Sequence, residues 1–533
     1  MFEELLTHAP ALAVALPLLG AFLTPLVGKV SSKLRNGFVV AITALTSFVV
    51  LLLSYNVLAH ESVKLAPSLV KNGIQTYVFG AQSIGDPVVR IVFELDGLNA
   101  FMIILAAILP LAAVIYSLAF VKDETGQDKY YTLILLLTAG MLGMMMTGDM
   151  FNFFVFLEIT SIASAALIAY RVNNKFSVQA AFKYIVVSTI GALFFLFAIA
   201  ILYGQYDALN MAVIAGSIQY GLLDKIALVL ILVALAMKAG IAPMHMWLPE
   251  AYGRAPSSVT IVIIGTTLGS FYGLLRVGFT VYGEHLISSV NVSIALGWML
   301  VAMAILTIFI GVLMALKQND FKKMIGFAAV AEIGYMLLAF GAALATVYHD
   351  PNTATTQISP VGVNALRGGM FHILNDALDV SLLFLTAGAV YYVSKESSLN
   401  KLGGLARNMK YTTIFFIIGL IAVSGLPPLN GFASKLMIYQ STYEINPILA
   451  IIAILGSILL LATFVKVFYA AFLGPKLPKF EKVKEVPKSM LIAMFIIACI
   501  ILFIGLFPNL VVENIVNPAV EALQNASLYI GGI

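Results

Sequence analysis

Apolar runs separated by short polar connections dominate this chain. Fourteen of them can be drawn, at about 5–28, 35–59, 97–120, 131–148, 150–170, 177–203, 223–243, 257–281, 292–316, 321–345, 362–392, 412–440, 445–473 and 488–512. Each is close to the roughly 20 residues needed to cross a bilayer as a helix. The pattern predicts an all-α polytopic membrane protein of about 14 transmembrane helices. Two runs contain Gly/Pro breaks, ALAMKAGIAP (234–243) in the seventh and SGLPPLNGFASK (424–435) in the twelfth. The longest polar stretch, His60 to Glu94, holds QTYVFG and VVRIVFEL around GAQSIGDP. Its β-branched and aromatic alternation predicts a short surface hairpin. After Pro508, VVENIVNPAVEAL reads as a weak amphipathic stretch. No low-complexity segment divides the chain, so residues 1–533 form one membrane domain.

Charge placement then orients the spans. Connections after odd-numbered spans carry twenty Lys/Arg, against five after even-numbered ones. By the positive-inside bias, both termini lie outside the cell (cytoplasmic) membrane. Five basic residues fall within spans: Lys183, Lys238, Arg276, Lys435 and Lys466. Lys183, Arg276 and Lys466 lie near helix ends, where a long side chain can snorkel to the interface; Lys183 and Lys466 are also secondary pathway candidates. Lys238 and Lys435 lie deeper, each beside a break. Two spans before each stands a lone glutamate, Glu158 in FFVFLEITS and Glu332 in AAVAEIGYM. A charge at the bilayer centre costs roughly 2.5–3.5 kcal/mol on insertion scales, so such residues usually line a polar path. A Glu…Lys order that occurs twice, each time with an interrupted helix, is the mark of a duplicated transporter core. His245, within about two turns of Lys238, adds an imidazole suited to passing protons.

Composition narrows the classes. With 61 % hydrophobic residues and a mean hydropathy of +1.00, the chain is a membrane protein. Its net charge of +4 is spread over short loops and does not mark a nucleic-acid binder. The lone Cys499 excludes an internal disulfide and a thiolate cluster. The N-terminal run lacks the basic leader of a cleaved signal peptide. There is no G-x-x-x-x-G-K-[ST] and no dinucleotide fingerprint in a strand–turn–helix setting. The six histidines offer no pair of axial haem ligands in the apolar core. No cofactor and no redox or hydrolytic site of its own is expected; energy comes from an ion gradient or from another subunit.

One further pattern carries a resemblance. In K-x-x-x-x-P-x-H-x-W-L-P-x-A-x-x-x-A-P stand Lys238, Pro243, His245, Trp247, Leu248, Pro249, Ala251, Ala255 and Pro256. This resembles the signature of the antiporter-like membrane subunits of respiratory complex I, of the D-type subunit of Mrp cation/proton antiporters, and of the matching subunits of membrane-bound hydrogenases. Glu158 in a phenylalanine-rich fifth span, NDFKKMIGFAAVAEIGY (319–335) and GLPPLNGFASK (425–435) extend the likeness over about residues 95–475. It implies two inverted five-helix repeats, spans 4–8 (131–281) and 9–13 (292–473), with spans 7 and 12 broken around Lys238 and Lys435. It also implies that Glu158 pairs with Lys238 to gate proton uptake, and that polar groups at mid-membrane join the two lysines. Burial and a nearby carboxylate act oppositely on an amine's proton affinity, so the Glu–Lys distance can switch the proton.

The chain departs from that family at the centre. Leu268 stands where a lysine is common in span 8, and Glu332 where histidine or glutamine is common in span 10. In span 11 the usual histidine pair and lysine are represented by His372, Asn375, Asp376, Asp379 and Val380. The pathway residues expected are therefore Glu158, Lys238, His245, Glu332, His372, Asp376, Asp379 and Lys435. The added carboxylates could relay protons or, near Asp376 and Asp379, hold Na⁺ through oxygen ligands. The function implied is a proton- or Na⁺/H⁺-translocating subunit of a multisubunit membrane complex. Its partners are other membrane subunits, with a hydrogenase-like or quinone/NADH oxidoreductase module as one alternative and an Mrp assembly as the other. A structural, non-conducting subunit and a self-sufficient secondary antiporter are the competing readings.

Overall fold

Asp96 opens the buried part of the molecule: its carboxylate accepts from the backbone N–H of Leu98 and Asn99, while Asn99 bonds back to it. Such a capping box satisfies N–H groups that a helix start leaves free. The computed structural model describes residues 2–79, 91–350, 355–475 and 477–531. Among them, thirteen helices are long and apolar enough to cross a membrane. We number the long helices in chain order. The first six are α1 (Phe2–Val30), α2 (Ser32–Leu58), α3 (Gly97–Phe120), α4 (Gln127–Met146), α5 (Met150–Ile168) and α6 (Lys175–Tyr206). Then come α7 (Leu222–Ala239), α8 (Ser257–Leu275), α9 (Val290–Lys317), α10 (Phe321–Ala345) and α11 (Pro360–Ser394). The twelfth apolar run is split into α12 (Lys410–Val423) and α13 (Asn430–Ile445), and α14 (Pro447–Val467) and α15 (Lys488–Leu506) follow.

Burial sorts these helices into an inner and an outer set. The most apolar stretches of α10 and α11 are entirely enclosed, and that of α8 almost entirely. By contrast α1, α6, α9 and α15 bury only a minority of theirs. An apolar helix with an exposed apolar face is at home only against hydrocarbon or another membrane subunit. The enclosed helices α8, α10 and α11 carry buried polar side chains, among them Thr266, Glu332 and Asp376.

The two breaks are built alike. Gly240 and Gly425 sit at φ +75° and +70°, the left-handed region that costs glycine nothing. Ile241 N–H bonds Ala236 C=O, and Leu426 N–H bonds Ile421 C=O, the six-to-one closure of a Schellman helix end. Each glycine is followed by a cis prolyl bond, Ala242–Pro243 and Pro427–Pro428. The chain then restarts differently. After the first break come a 3₁₀ turn, Met244–Trp247, and a short helix, Leu248–Arg254; after the second, α13 begins almost at once. Gly431 makes that restart fit, since a Cβ there would lie 2.0 Å from the Ala422 carbonyl oxygen.

On one face of the membrane Val70–Lys71 (β1), Ile74–Val78 (β2) and Val92–Leu95 (β3) form an antiparallel sheet with Tyr77 opposite Phe93. The hairpin expected here is present as these strands; its turn, GAQSIGDP, and the first residues of VVRIVFEL lie outside the described residues. Arg276 differs from its expected snorkelling. It is fully buried, with Nη1 and Nη2 each 2.7 Å from the Asp96 carboxylate and Nη2 2.6 Å from Asn99 Oδ1. The Tyr529 ring covers the guanidinium at 4.4 Å, and the C-terminal helix Asn517–Gln524 packs on α3. A bidentate carboxylate and an aromatic face give the cation a reason to stay inside that a helix-end position does not reveal.

Candidate ion pathway

Lys238 lies in the last turn of α7, just before the break. Its Nζ donates to Ser161 Oγ at 2.7 Å and reaches Glu158 Oε1 at 3.3 Å, both on α5. Gly191 of α6 allows this approach: a Cβ there would stand 3.1 Å from Ala234 O and 3.6 Å from Lys238 Cγ. The amine is buried, whereas the Glu158 side chain is 25 % exposed. A water-sized polar cavity adjoins the amine, lined by Ser161, Tyr184, Ser188, Thr266, Thr267 and Ser270 among others. The carbonyl of Met237, which takes the Gly240 N–H at the helix end, also accepts from the Trp247 indole N–H at 2.8 Å. His245 is buried two residues earlier, with Nδ1 unpaired.

Lys435 approaches its break from the other side, in the second turn of α13. Its Nζ donates to Glu332 Oε1 of α10 at 2.8 Å and to the Val423 carbonyl at 2.7 Å, the oxygen freed where α12 ends. The Tyr335 ring lies 4.5 Å from the ammonium. Glu332 uses its other oxygen toward α11, where His372 Nε2 is 2.9 Å from Oε2. His372 Nδ1 lies 3.2 Å from Ser434 Oγ. One carboxylate thus stands between an ammonium and an imidazole, and all three side chains are at most 2 % exposed.

One and two turns along α11 from His372, Asp376 and Asp379 are buried within electrostatic range of Glu332 and Lys435. Asn430 Nδ2 donates to Asp379 Oδ1 at 2.9 Å and to Asn375 Oδ1 at 3.1 Å, while Asn375 Nδ2 donates to the Asn430 carbonyl. Asp376 Oδ1 has no partner. Arg367 does not reach either aspartate; its Nη1 donates to Asn364. Among the described residues no group of three His, Cys, Asp or Glu is placed to hold a metal ion.

Between the two lysines the polar groups come mostly from α8 and the short helix after the first break. Tyr252 OH donates to Thr267 Oγ1 at 2.8 Å, and the same tyrosine is in electrostatic range of Asp376. Leu268, at the position where a lysine was expected, is buried between Thr267 and Ser270. The hydroxyls Ser161, Ser188, Thr266, Thr267, Ser270 and Tyr252 were not picked out from the sequence. Their signal was available only in part: Ser161 follows Glu158 by three residues, the spacing that shares a helix face.

Two candidates stand apart from this cluster. Lys466 on α14 donates to the carbonyls of Leu316 and Gln318, which end α9. Lys183 is exposed on α6, while its neighbour Tyr184 turns toward Lys238. The face opposite the positively charged loops holds a second buried ionic group. There Asn210 Nδ2 donates to Glu94 Oε1 at 2.9 Å, and burial pushes the Glu94 carboxyl above its ordinary range despite that bond.

The model of the transmembrane family described as NADH:quinone oxidoreductase/Mrp antiporter matches residues 147–350 and 353–461, more than half of the chain. The chain belongs to this family. The family match contains both breaks and all eight principal pathway candidates, and stops short of Lys466. The chain is 31 % identical over 532 residues to the N-type subunit of NADH-quinone oxidoreductase from Desulforudis audaxviator, covering 96 % of this chain and 98 % of that one. It is 30 % identical over 419 residues to the D-type subunit of the Na(+)/H(+) antiporter from Alkalihalophilus pseudofirmus, covering 78 % and 79 %. Its fold matches a chain of the membrane-bound sulfane sulfur reductase, an archaeal respiratory membrane complex, with a TM-score of 0.81, 27 % identity, and coverage of 98 % and 99 %.

Proposed function

We propose that this chain is an ion-translocating, antiporter-like subunit of a multisubunit membrane complex, and that the charge it moves is the proton. The observation that carries this reading is the repeated unit of one buried lysine, one glutamate from a neighbouring helix and one broken span. Residues 131–281 and 292–473 then act as two inverted halves, each with its own lysine. Glu158 and Lys238 form the looser pair, the ammonium being shared with Ser161; Glu332 and Lys435 form the tighter one. A proton held at Lys238 would pass through the hydroxyls of α8 and Tyr252 to Asp376, then to Glu332, His372 and Lys435. At Asp379 the carboxylate accepts from the Asn430 amide, and Asn430 Oδ1 and Asp376 Oδ1 stay unpaired.

Membership of a complex is supported by the outer face of α5. Phe151, Val155 and Ile162 are exposed there, and Glu158 lies on the same face at 25 % exposure. A carboxylate open to hydrocarbon is strongly disfavoured, so a neighbouring subunit covers it. The excess of basic residues in the connections after odd-numbered spans supports a topology with both termini outside the cell membrane. Names among the relatives point to a redox-driven pump and to an Mrp-type antiporter, and the polypeptides that co-purify in mild detergent distinguish the two. The decisive test is Lys238→Ala in the intact complex. Coupled ion movement in membrane vesicles should be lost while the subunits still assemble. Undiminished transport in that variant, or in one with Glu158, Lys238 and Lys435 all neutralised, would make the chain a structural subunit instead. Na⁺ flux driven by a pH gradient through the purified chain alone would make it a self-sufficient antiporter.

A further inference from the structure

We propose that Glu250 and Lys323 are positioning residues for the path between the two lysines. Their ion pair fastens the segment after the first break to α10, and so keeps Tyr252 in line at Thr267; the inference rests on the ion-translocating role proposed above. The segment needs a fastening. Leu248–Arg254 is a helix of seven residues, well below the roughly 12–15 at which a helix holds by itself. Before it lie the break and one 3₁₀ turn, and after it Pro256. Yet Tyr252, on this short helix, holds its hydroxyl 2.8 Å from Thr267 Oγ1.

The start of α10 supplies the hold. Lys323 Nζ stands 2.6 Å from Glu250 Oε1, and both side chains are half-buried. Arg254 Nη1 lies 3.4 Å from Asp320 Oδ2, and Lys322 Nζ donates to the Ala255 carbonyl. Asp320 also accepts from Lys323 N–H and so caps α10. Beneath these bonds the backbones meet. A Cβ at Gly326 would stand 2.8 Å from Pro249 Cα, and one at Gly253 would stand 3.2 Å from Lys323 Cα. Elements packed this closely pass a displacement from one to the other. Each carries groups of the path. Two residues after Glu250, Tyr252 reaches α8, and its ring meets Phe384 of α11 edge-on at 5.7 Å. Nine residues after Lys323, roughly 13 Å along α10, Glu332 meets Lys435 and His372. A charge-assisted bond is about twice as strong as a neutral one, and the Glu250–Lys323 pair is the shorter of the two ion pairs at this joint.

The test uses the intact complex. Glu250→Gln should raise amide hydrogen exchange across residues 244–254 about tenfold, the effect of losing a charged hydrogen bond. Coupled ion movement in vesicles should fall about fivefold, within the range for residues that act through others. Asp128→Asn, which breaks the ion pair with Arg35 on the same face, should change neither. The variant Glu250→Cys/Lys323→Cys, made with Cys499→Ser, should transport poorly, and recover once a short bifunctional thiol reagent joins the two side chains. A folding defect is not repaired by joining two side chains in an assembled complex, so that recovery separates positioning from stability alone. Unchanged exchange or undiminished transport in Glu250→Gln, or a joined pair that stays inactive, would overturn the proposal. Failure of the translocation reading looks different: Lys238→Ala would then transport as well as the native protein, while the exchange result, which needs no transport, would still stand.

Discussion

Glu332 is the residue whose loss should separate stability from transport. Its carboxylate stands 2.8 Å from Lys435 Nζ and 2.9 Å from His372 Nε2, with all three groups sealed from solvent. At an effective dielectric of 20, a pair of unit charges at that spacing attracts with about 6 kcal/mol, before desolvation is subtracted. Removing one member of a buried pair costs about 3–5 kcal/mol, since the remaining charge is stranded. In Glu332→Gln the neutral amide oxygen still accepts a weaker hydrogen bond from the ammonium, so we expect the lower end, about 3 kcal/mol. The double variant Glu332→Gln/Lys435→Met strands nothing and should recover most of that loss. Neither variant should carry ions. Thermal unfolding of the detergent-purified complex gives the stability order, and a pH-sensitive dye in closed vesicles gives transport. A single variant as stable as the native protein would show that the two charges are not dependent on each other. Transport surviving in the double variant would remove the second lysine from the pathway.

Two other expectations follow from local geometry. Gly431→Ala sets a methyl group 2.0 Å from the Ala422 carbonyl, too close for side-chain adjustment alone. The cost should exceed the roughly 1–3 kcal/mol of ordinary overpacking, and limited proteolysis should show the α12–α13 junction opened; an unchanged digestion pattern would refute the close approach. Asp149, at the membrane surface, caps α5 through Asn152 N–H, and burial raises its carboxyl from 3.8 to about 6. The folded state therefore holds this proton more tightly than the unfolded one. Its contribution is fully present below about pH 4 and is lost as pH rises through about 6, a change of about 3 kcal/mol at most. Asn caps helices as well as Asp, so Asp149→Asn should flatten the stability profile over that window while leaving the cap intact. A profile that keeps its slope would assign the titration to another group.

The spans and both breaks could be read from the sequence because each rests on a local rule: about twenty apolar residues, or a glycine and proline within a few positions. The Glu158–Lys238 pairing is implied by the family resemblance, and the matching Glu332…Lys435 order can be seen in the chain without the contact itself. What stayed hidden depends on helices far apart in sequence. Arg276 looked like a surface residue because it lies near the end of a span; its partner Asp96 is 180 residues away. Lys466 reads as a snorkelling lysine and a secondary pathway candidate; that it bonds the backbone oxygens ending α9 is something no side-chain pattern encodes. The hydroxyls beside Leu268 were unremarkable for the same reason, as serine and threonine are ordinary in membrane helices until two helices bring them to one cavity. A second ribbon, Val347–His349 with Thr356–Ile358, was missed because its strands are only three residues long.

Half of the hydrogen bonding around Lys435 is written in the main chain. Its acceptor at Val423 is a carbonyl, so an alanine scan passes over it without effect and a residue-by-residue map of the channel would record only Glu332. Reaching that oxygen requires a change in peptide geometry, at Gly425 or the Pro427–Pro428 pair, or an ester in place of the amide. Evolution faces the same restriction: side-chain exchange can retune one half of this amine's surroundings, while the other half is fixed as long as the kink itself survives.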